Sequence, residues 1–328
     1  MASYTQLTTS DVQEIIDKYF NKTSVDIKET ATGISNSNYV IKLDDQSSII
    51  LKISNDKELT ELQEEEKILH DLHQSGFKYA ILPLKNKIKL SYFFFKDCVG
   101  QIYPFIPGEV KEPTNEVCTK VGLALSDLHK EQSTNISSTI RNYKTIGYEL
   151  HSIIDFVKSS ESLDYQDYKT TFQNCLPPLI INQLLELDLP LGIIHGDLYY
   201  DNVLFNPENE ILAVLDFEQA GYGPYLLDLG ISISGTCLDE SSQLSPEKIK
   251  YFIQSYSKQK QMTLDEKNYL YDYIILGLLS ISLWRIDRFN RKKITINKED
   301  SYKELLIRAN LFVEKTKRTD FFKLIFGQ

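Results

Sequence analysis

The stretch HGDLYYDNVLF, residues 195–205, sets Asp197 five residues before Asn202, and a DFE triplet opens at Asp216, eleven residues beyond Phe205. Two acids and an amide thus each border a short apolar run. Between Asn202 and Asp216 the chain reads VLF-NPENE-ILAVL. Two apolar segments around a Pro/Asn turn predict a β-hairpin. An antiparallel hairpin returns Asn202 and Asp216 to the same end, side by side, where their oxygens can share one cation. Mg²⁺ takes a few hard oxygen ligands and completes its shell with phosphate oxygens, and this pair supplies such ligands. Asp197 lies on the loop entering the hairpin, close to the cation without having to coordinate it. A carboxylate there can take the proton of a substrate hydroxyl and orient that hydroxyl, a role that contributes about 10²- to 10⁴-fold in rate.

An H-x-D-x-x-x-x-N run followed by a D-F metal site resembles the phosphoryl-transfer layout of protein kinases. That chemistry needs phosphate-binding groups upstream. In ATGISNSNYVIKL, Gly33 with Ser35 and Asn36 precedes a strand and can offer backbone N–H groups and side-chain polar groups to phosphates. Lys52 interrupts the apolar run IILKI, and a charge inside a strand calls for a partner. Its expected roles are to bind the ATP α- and β-phosphates and to pair with a helix glutamate. Glu65 is the candidate, since it shares one helical face with Leu62, Leu69 and Leu72, whereas Glu64 and Glu66 point elsewhere. The IYPFIPG segment would link two lobes, with adenine held around Tyr103 and Phe105. In the second lobe, Tyr199, Glu218, Trp284 and Arg288 are candidates for the acceptor pocket: Glu218 could hold an ammonium, Arg288 a carboxylate.

The elements that must position these residues follow from periodicity. Ser10 and Gln13 read as a capping box for an opening helix carrying Val12, Ile15, Ile16 and Tyr19. NYVIKL and SIILKI read as a hairpin, the run from Leu59 as a helix stopped by Gly76, and SYFFFKDCVGQIYPFIPG as two more strands. Residues 1–107 are therefore expected to form a nucleotide-binding lobe, a small antiparallel sheet with a helix across it. Residues 108–328, mainly helical, are expected to form a catalytic and substrate-binding lobe. The fold class is α+β, bilobal and protein-kinase-like.

Composition bounds the remaining possibilities. A chain of 328 residues with a formal net charge of −10 and no basic stripe argues against nucleic-acid partners. Cys98, Cys118, Cys175 and Cys237 are too scattered for a disulfide framework or a zinc site, which predicts reduced thiols and a cytoplasmic location. The opening MASYTQLTTSDVQ has no apolar core of a signal peptide. The run YIILGLLSISLW, 12 residues, falls short of the ~20 of a membrane span and reads as a buried helix. No membrane partner is expected.

The segments GISNSNYVIKL, ILKI, EKILHDLHQSG, YPFIPGEV, VGLALSDLHK, HGDLYYDNVLF and VLDFEQAGYGPYLLDLGI run over nearly the full length. In that order they resemble the aminoglycoside-phosphotransferase and choline-kinase superfamily. YTQLTTSDVQEIIDKY, NSNYVI, LDLGISISGTC and the late YSKQKQMTLDEKNYL with LSISLWRIDRF resemble its homoserine kinase branch most closely. That branch has DFYFA where this chain has DFEQA, and Glu218 is similar to the residue of choline kinases. The resemblance implies ATP and Mg²⁺ as cofactors and a hydroxyl of a small, amine-bearing metabolite as acceptor. L-homoserine, an intermediate of threonine biosynthesis, leads, with choline, ethanolamine or an aminoglycoside as alternatives. A non-catalytic nucleotide-binding module is the reading from another class, and the intact Lys52, Asp197, Asn202 and Asp216 set argues against it. Only twelve positions part Asp216 from Asp228, which leaves no room for the activation segment of a protein kinase. Asp228 is expected to be a structural acid near the catalytic loop.

Overall fold

The computed structural model describes residues 5–30, 36–130, 148–292 and 298–327. The chain forms two compact units, Met1–His70 with Ala80–Pro107, and Asp71–Tyr79 with Gly108–Gln328.

The first unit is a five-stranded antiparallel sheet with the order β1-β2-β3-β5-β4. The strands are β1 (Ser24–Glu29), β2 (Asn36–Leu43), β3 (Ser48–Ser54), β4 (Tyr92–Phe95) and β5 (Cys98–Pro104). Alternation along β2 and β3 puts Tyr39, Ile41, Leu43, Ile49, Leu51 and Ile53 on one face. Helix α1 (Thr9–Tyr19) covers that face with Val12, Ile15, Ile16 and Tyr19, all buried in one apolar cluster. The capping box of α1 is not the expected Ser10/Gln13 pair. Thr8 is the N-cap: its Oγ1 accepts from Asp11 N at 3.2 Å and Asp11 Oδ2 accepts from Thr8 N at 2.8 Å. The helix starts two residues earlier than the sequence pattern indicates because a Thr/Asp pair meets the same orphan N–H groups that Ser/Gln was expected to meet. Gln13 instead ties the helix to the next strand, its Oε1 accepting from Ser24 N at 2.9 Å.

Helix α2 (Leu59–Gln74) buries Leu62, Glu65, Ile68, Leu69 and Leu72 along one face. The segment after it groups with the second unit rather than with residues 1–107. Its reason is visible in the packing: Phe77 is buried 6.3 Å from the Phe217 ring, and Val214 N donates to Tyr79 O at 3.0 Å.

The second unit is mainly helical. It comprises α3 (Asn115–Lys130), α4 (Leu150–Lys158), α5 (Gln166–Cys175), α6 (Pro178–Leu185), α7 (Tyr225–Thr236), α8 (Pro246–Gln259), α9 (Leu264–Arg285), α10 (Lys303–Lys315) and α11 (Arg318–Phe326). Two short antiparallel pairs interrupt the helices. These are β6 (Leu191–Ile194) with β9 (Gly221–Pro224), and β7 (Val203–Phe205) with β8 (Ile211–Val214). Helix α9 is the centre of this unit, buried at Leu270–Leu276, Leu278, Leu279 and Leu283. With its π-helical continuation to Arg291 it is long and apolar enough to cross a membrane by length and composition, longer than its 12-residue apolar run suggests. Burial decides its role: 78% of its most apolar window is inside the unit, so it is a core helix. It crosses α7 closely, since a Cβ on Gly277 would lie 2.5 Å from the Gly230 carbonyl carbon.

Candidate active site

The hairpin expected between Asn202 and Asp216 is present. Val203 pairs with Val214 and Leu204 with Ala213, so the residues flanking the strands come together. Leu215 N donates to Asn202 O at 2.8 Å, which fixes Asn202 beside the residue that precedes Asp216. Asp216 itself sits at φ 61°, ψ 60°, in the left-handed region that a residue with a Cβ enters at a cost of about 1–2 kcal/mol. It then opens a 3₁₀ turn, Phe217–Gln219, that carries Glu218. A strained residue at the end of a strand is a feature that functional sites retain.

Asp197 is tied to the same place. Asn202 Nδ2 donates to Asp197 O at 2.7 Å, and Tyr199 N donates to that oxygen at 3.0 Å. With its nitrogen committed to the loop, the Asn202 amide leaves its Oδ1 as the acceptor available to a cation. The loop reaches Asp197 through Gly196, whose φ of +74° suits a residue without a Cβ.

Beneath the loop lies a buried polar network. Asp228, fully buried at the start of α7, accepts from His195 N at 2.8 Å through Oδ2 and from Gly196 N at 2.8 Å through Oδ1. Its Oδ2 also meets His129 Nε2 at 3.0 Å, and His129 Nδ1 meets the Tyr256 hydroxyl at 2.8 Å. The imidazole therefore donates from Nε2 and accepts at Nδ1. Burial pushes the His129 pKa down, against the raising pull of Asp228. Burial alone would raise Asp228, but the hydrogen bond and charge of His129, and the groups of His195, hold it below the usual carboxylate range. Neutral His129 and ionised Asp228 form the anchor of the loop that carries Asp197, as a structural acid at this position was expected to do. His195 completes the anchor: its Nδ1 accepts from Asp197 N at 3.2 Å, its Nε2 donates to Leu215 O at 2.9 Å, and its ring lies 4.5 Å from that of Phe217. One imidazole thus bridges the Asp197 loop to the Asp216 turn.

Burial and the charges of Asp216, Glu218 and Asp201 push the Asp197 carboxyl well above its ordinary value. Among the described residues no group of three or more His, Cys, Asp or Glu side chains could hold a metal ion, so the donors that fit a cation are Asn202 Oδ1 and the Asp216 carboxylate. One amide and one carboxylate leave room for phosphate oxygens, as Mg²⁺ in a nucleotide site requires.

The acceptor candidates divide. Tyr199 and Glu218 belong to this cluster: the charge of Asp197 acts on Tyr199, that of Glu218 on Asp197. Trp284, half-buried, has the Arg288 guanidinium 5.2 Å from its ring centre, with Arg288 in the π-helical turn Ile286–Arg291. Sequence reasoning passed over Arg308 and Arg285, whose charges act on Tyr199. An arginine within an amphipathic helix carries no signal of burial; only the packing shows it.

In the first unit, Lys52 lies on the sheet face opposite the α1 cluster, in register with Asn38 on β2 and Gln101 on β5. Glu65, the residue expected to pair with Lys52, is largely buried and meets Lys57, Nζ to Oε2 at 2.9 Å. Lys57 lies in the turn just before α2 and reaches the buried face of that helix directly. Asn36 is buried, with Oδ1 accepting from Ser54 Oγ at 3.0 Å. Tyr103 is half-buried and donates to Gln101 Oε1 at 2.8 Å, whereas Phe105 is exposed. Gly33 and Ser35 lie outside the described residues.

Comparison with known proteins places these features in context. The model of the phosphotransferase enzyme family matches residues 26–259. A homoserine kinase of Caulobacter vibrioides is 24% identical over 281 residues, covering 82% of this chain and 84% of its own length. One from Zymomonas mobilis is 25% identical over 282 residues, covering 81% and 82%. Among solved structures, a microcompartment-associated aminopropanol kinase aligns over 97% of this chain and 100% of its own, with TM-score 0.69 and 15% identity. An amicoumacin kinase in complex with AMP-PNP, Ca²⁺ and Ami aligns over 96% of both chains, with TM-score 0.66 and 16% identity. At these identities the structural likeness establishes the shared fold.

Proposed function

The chain belongs to the phosphotransferase enzyme family and is a small-molecule kinase with an alcohol group as acceptor; from that premise we propose that the acceptor is L-homoserine and that Asp197 receives its hydroxyl proton. The observation that carries the mechanism is the hairpin closure, Leu215 N to Asn202 O, together with the Asn202 bond to Asp197. It joins the proton acceptor to both cation-binding residues in one rigid turn.

The acceptor oxygen attacks the γ-phosphorus of ATP, the O–P bond to the γ-phosphoryl group forms, and the bond to the β,γ-bridging oxygen breaks to release ADP. The hydroxyl proton passes to an Asp197 oxygen. Burial, with the charges of Asp216 and Glu218 added to it, raises the proton affinity of that carboxyl, which favours acceptance. Mg²⁺, held by Asn202 Oδ1 and Asp216, would neutralise charge on the phosphates. Lys52 is proposed to bind the α- and β-phosphates and Glu65 to position it, with Lys57 holding the other side of the Glu65 carboxylate. Glu218 is proposed to hold the acceptor ammonium. Residues 1–107 are proposed as the nucleotide-binding part, with Gly33, Ser35 and Asn36 at the phosphates and Tyr103 and Phe105 at adenine.

L-homoserine is supported by the named relatives, which span more than four-fifths of the chain. A second reading, an amino alcohol lacking a carboxylate, is favoured by Glu218 alone, since an ammonium is all that Glu218 can select. The test is ADP release from Mg-ATP across L-homoserine, choline, ethanolamine and several aminoglycosides. The proposal expects kcat/KM for L-homoserine to exceed the others by at least about tenfold; equal or greater turnover of choline or an aminoglycoside would remove it.

A further inference from the structure

Arg308 on α10 is only 7% exposed, yet among the described residues it has no carboxylate within ion-pairing distance. The charges of Glu304 and Asp239 act on it from beyond that distance, but a buried guanidinium with no directly bonded carboxylate is costly. Its Nη1 donates to Ser234 O at 3.0 Å and its Nε to Ser242 O at 2.8 Å. Ser234 lies in the last turn of α7, so part of this arrangement is a cation capping a helix C-terminus. Capping uses two of the five N–H donors. Beside the attraction of Glu304 and Asp239, the like charge of a second cation, Arg285, also acts on Arg308. Arg285 has its own partners, Ser301 O and Glu304, each at 2.6 Å.

The corner that Arg308 grips also adjoins the catalytic loop. A Cβ on Gly235 would lie 2.3 Å from Tyr199 Cδ1, so the tyrosine ring lies directly on the residue after Ser234. Ser232 Oγ donates to Leu198 O at 2.6 Å, one turn earlier on the same helix. Positions 228, 232 and 235 of α7 thus hold His195 with Gly196, Leu198 and Tyr199 in succession, and Arg308 binds at the end of that line.

We propose that Arg308, beside Tyr199 on the Ser234–Gly235 corner, forms the subsite for a carboxylate on the phosphoryl acceptor, so that this kinase acts on hydroxylated amino acids rather than on simple amino alcohols. The proposal rests on the kinase reading above and assigns the carboxylate to Arg308 instead of Arg288. An incoming carboxylate supplies the directly bonded counter-charge that Glu304 and Asp239 do not, and accepts the guanidinium donors that capping leaves over. The electrostatic influence of both arginines on Tyr199 is consistent with a shared site.

Matched acceptors that differ only by the carboxylate test it: L-homoserine with 3-amino-1-propanol, L-serine with ethanolamine, and L-threonine with 1-amino-2-propanol. Isothermal titration with AMP-PNP present measures binding, and ADP release measures turnover. The wild type is expected to prefer the acid of the best pair by at least about tenfold in Kd and kcat/KM. Arg308→Gln should erase that preference while leaving the descarboxy acceptor within a few-fold, and Arg308→Lys, which keeps the charge, should restore part of it. A wild type that binds the descarboxy partner of every pair as well as the acid overturns the proposal, whether or not Arg308→Gln folds. So does an Arg308→Gln protein that retains the preference. Phosphorylation of 3-amino-1-propanol and L-homoserine alike would overturn this inference and leave the kinase intact, whereas turnover of no acceptor would count against the kinase reading itself.

Discussion

Replacing Asp228 by asparagine gives a prediction whose size follows from the hydrogen bonds. The carboxylate is fully buried and serves His195 N, Gly196 N and His129 Nε2, at 2.8, 2.8 and 3.0 Å. An asparagine has one oxygen. If that oxygen takes the Oδ1 place it serves Gly196 N, and the amide N–H₂ then faces His195 N. In the flipped orientation the oxygen serves His195 N and His129, and the amide faces Gly196 N. At least one buried donor is stranded either way, which costs about 1–3 kcal/mol. Asp228→Ala strands all three donors and should cost about 3 kcal/mol or more. Urea denaturation reads both variants as falling midpoints at unchanged slope. Acidification supplies an independent check. His129 is held below its unfolded value and so is Asp228, so the folded chain binds fewer protons than the unfolded chain at both sites. Their contribution is complete above the unfolded histidine pKa of about 6.5, falls as pH drops below it, and falls further in the carboxylate range. Between pH 7 and 5 the histidine accounts for at most about 2 kcal/mol, and His129→Gln should flatten that decline. An Asp228→Asn protein within 0.5 kcal/mol of wild type, taking about that as the scatter of neutral substitutions, would refute the anchor.

Asp197→Ala should lower kcat by at least about 10²-fold while Mg-dependent binding of a fluorescent ATP analogue is retained. Asp216→Ala should instead weaken that Mg-dependent binding in the same assay. Gly235→Ala forces a methyl into the Tyr199 ring and should raise the acceptor KM with the ATP KM unchanged, at a stability cost of about 1–3 kcal/mol read by thermal unfolding. Thr8→Ala removes the α1 cap and should cost about 1 kcal/mol by urea denaturation without altering turnover.

The chemistry of the loop was legible because its residues are close in sequence. Hairpin pairing converts the spacing of Asn202 and Asp216 into adjacency by local rules, and the apolar runs around NPENE state those rules. Helices with a clean apolar stripe, such as α2 with Leu62, Leu69 and Leu72, were legible for the same reason. Strand β1 was not: SVDIKE buries almost nothing at the sheet edge, so no hydrophobic alternation marks it. The pairing of Glu65 with Lys57 depends on how a turn aims one side chain, which periodicity does not encode. His129 and Tyr256 are 127 residues apart, His129 and Asp228 99, and Arg308 and Ser234 74. No spacing rule joins such residues; the tertiary packing of α3, α7, α8 and α10 does. Asp228 was placed near the loop from sequence, but the imidazole that keeps it ionised was visible only in three dimensions.

The central claim is that this chain moves the γ-phosphoryl group of ATP to a hydroxyl of a small amino acid, using Asp197 as proton acceptor. The most direct measurement is ³¹P NMR of wild-type and Asp197→Ala protein incubated with Mg-ATP and L-homoserine. The account predicts a phosphomonoester resonance growing in step with ADP for the wild type, and slower by at least about 10²-fold for the variant. Absence of an acceptor-dependent phosphomonoester with the wild type, or equal rates for the two proteins, would contradict it.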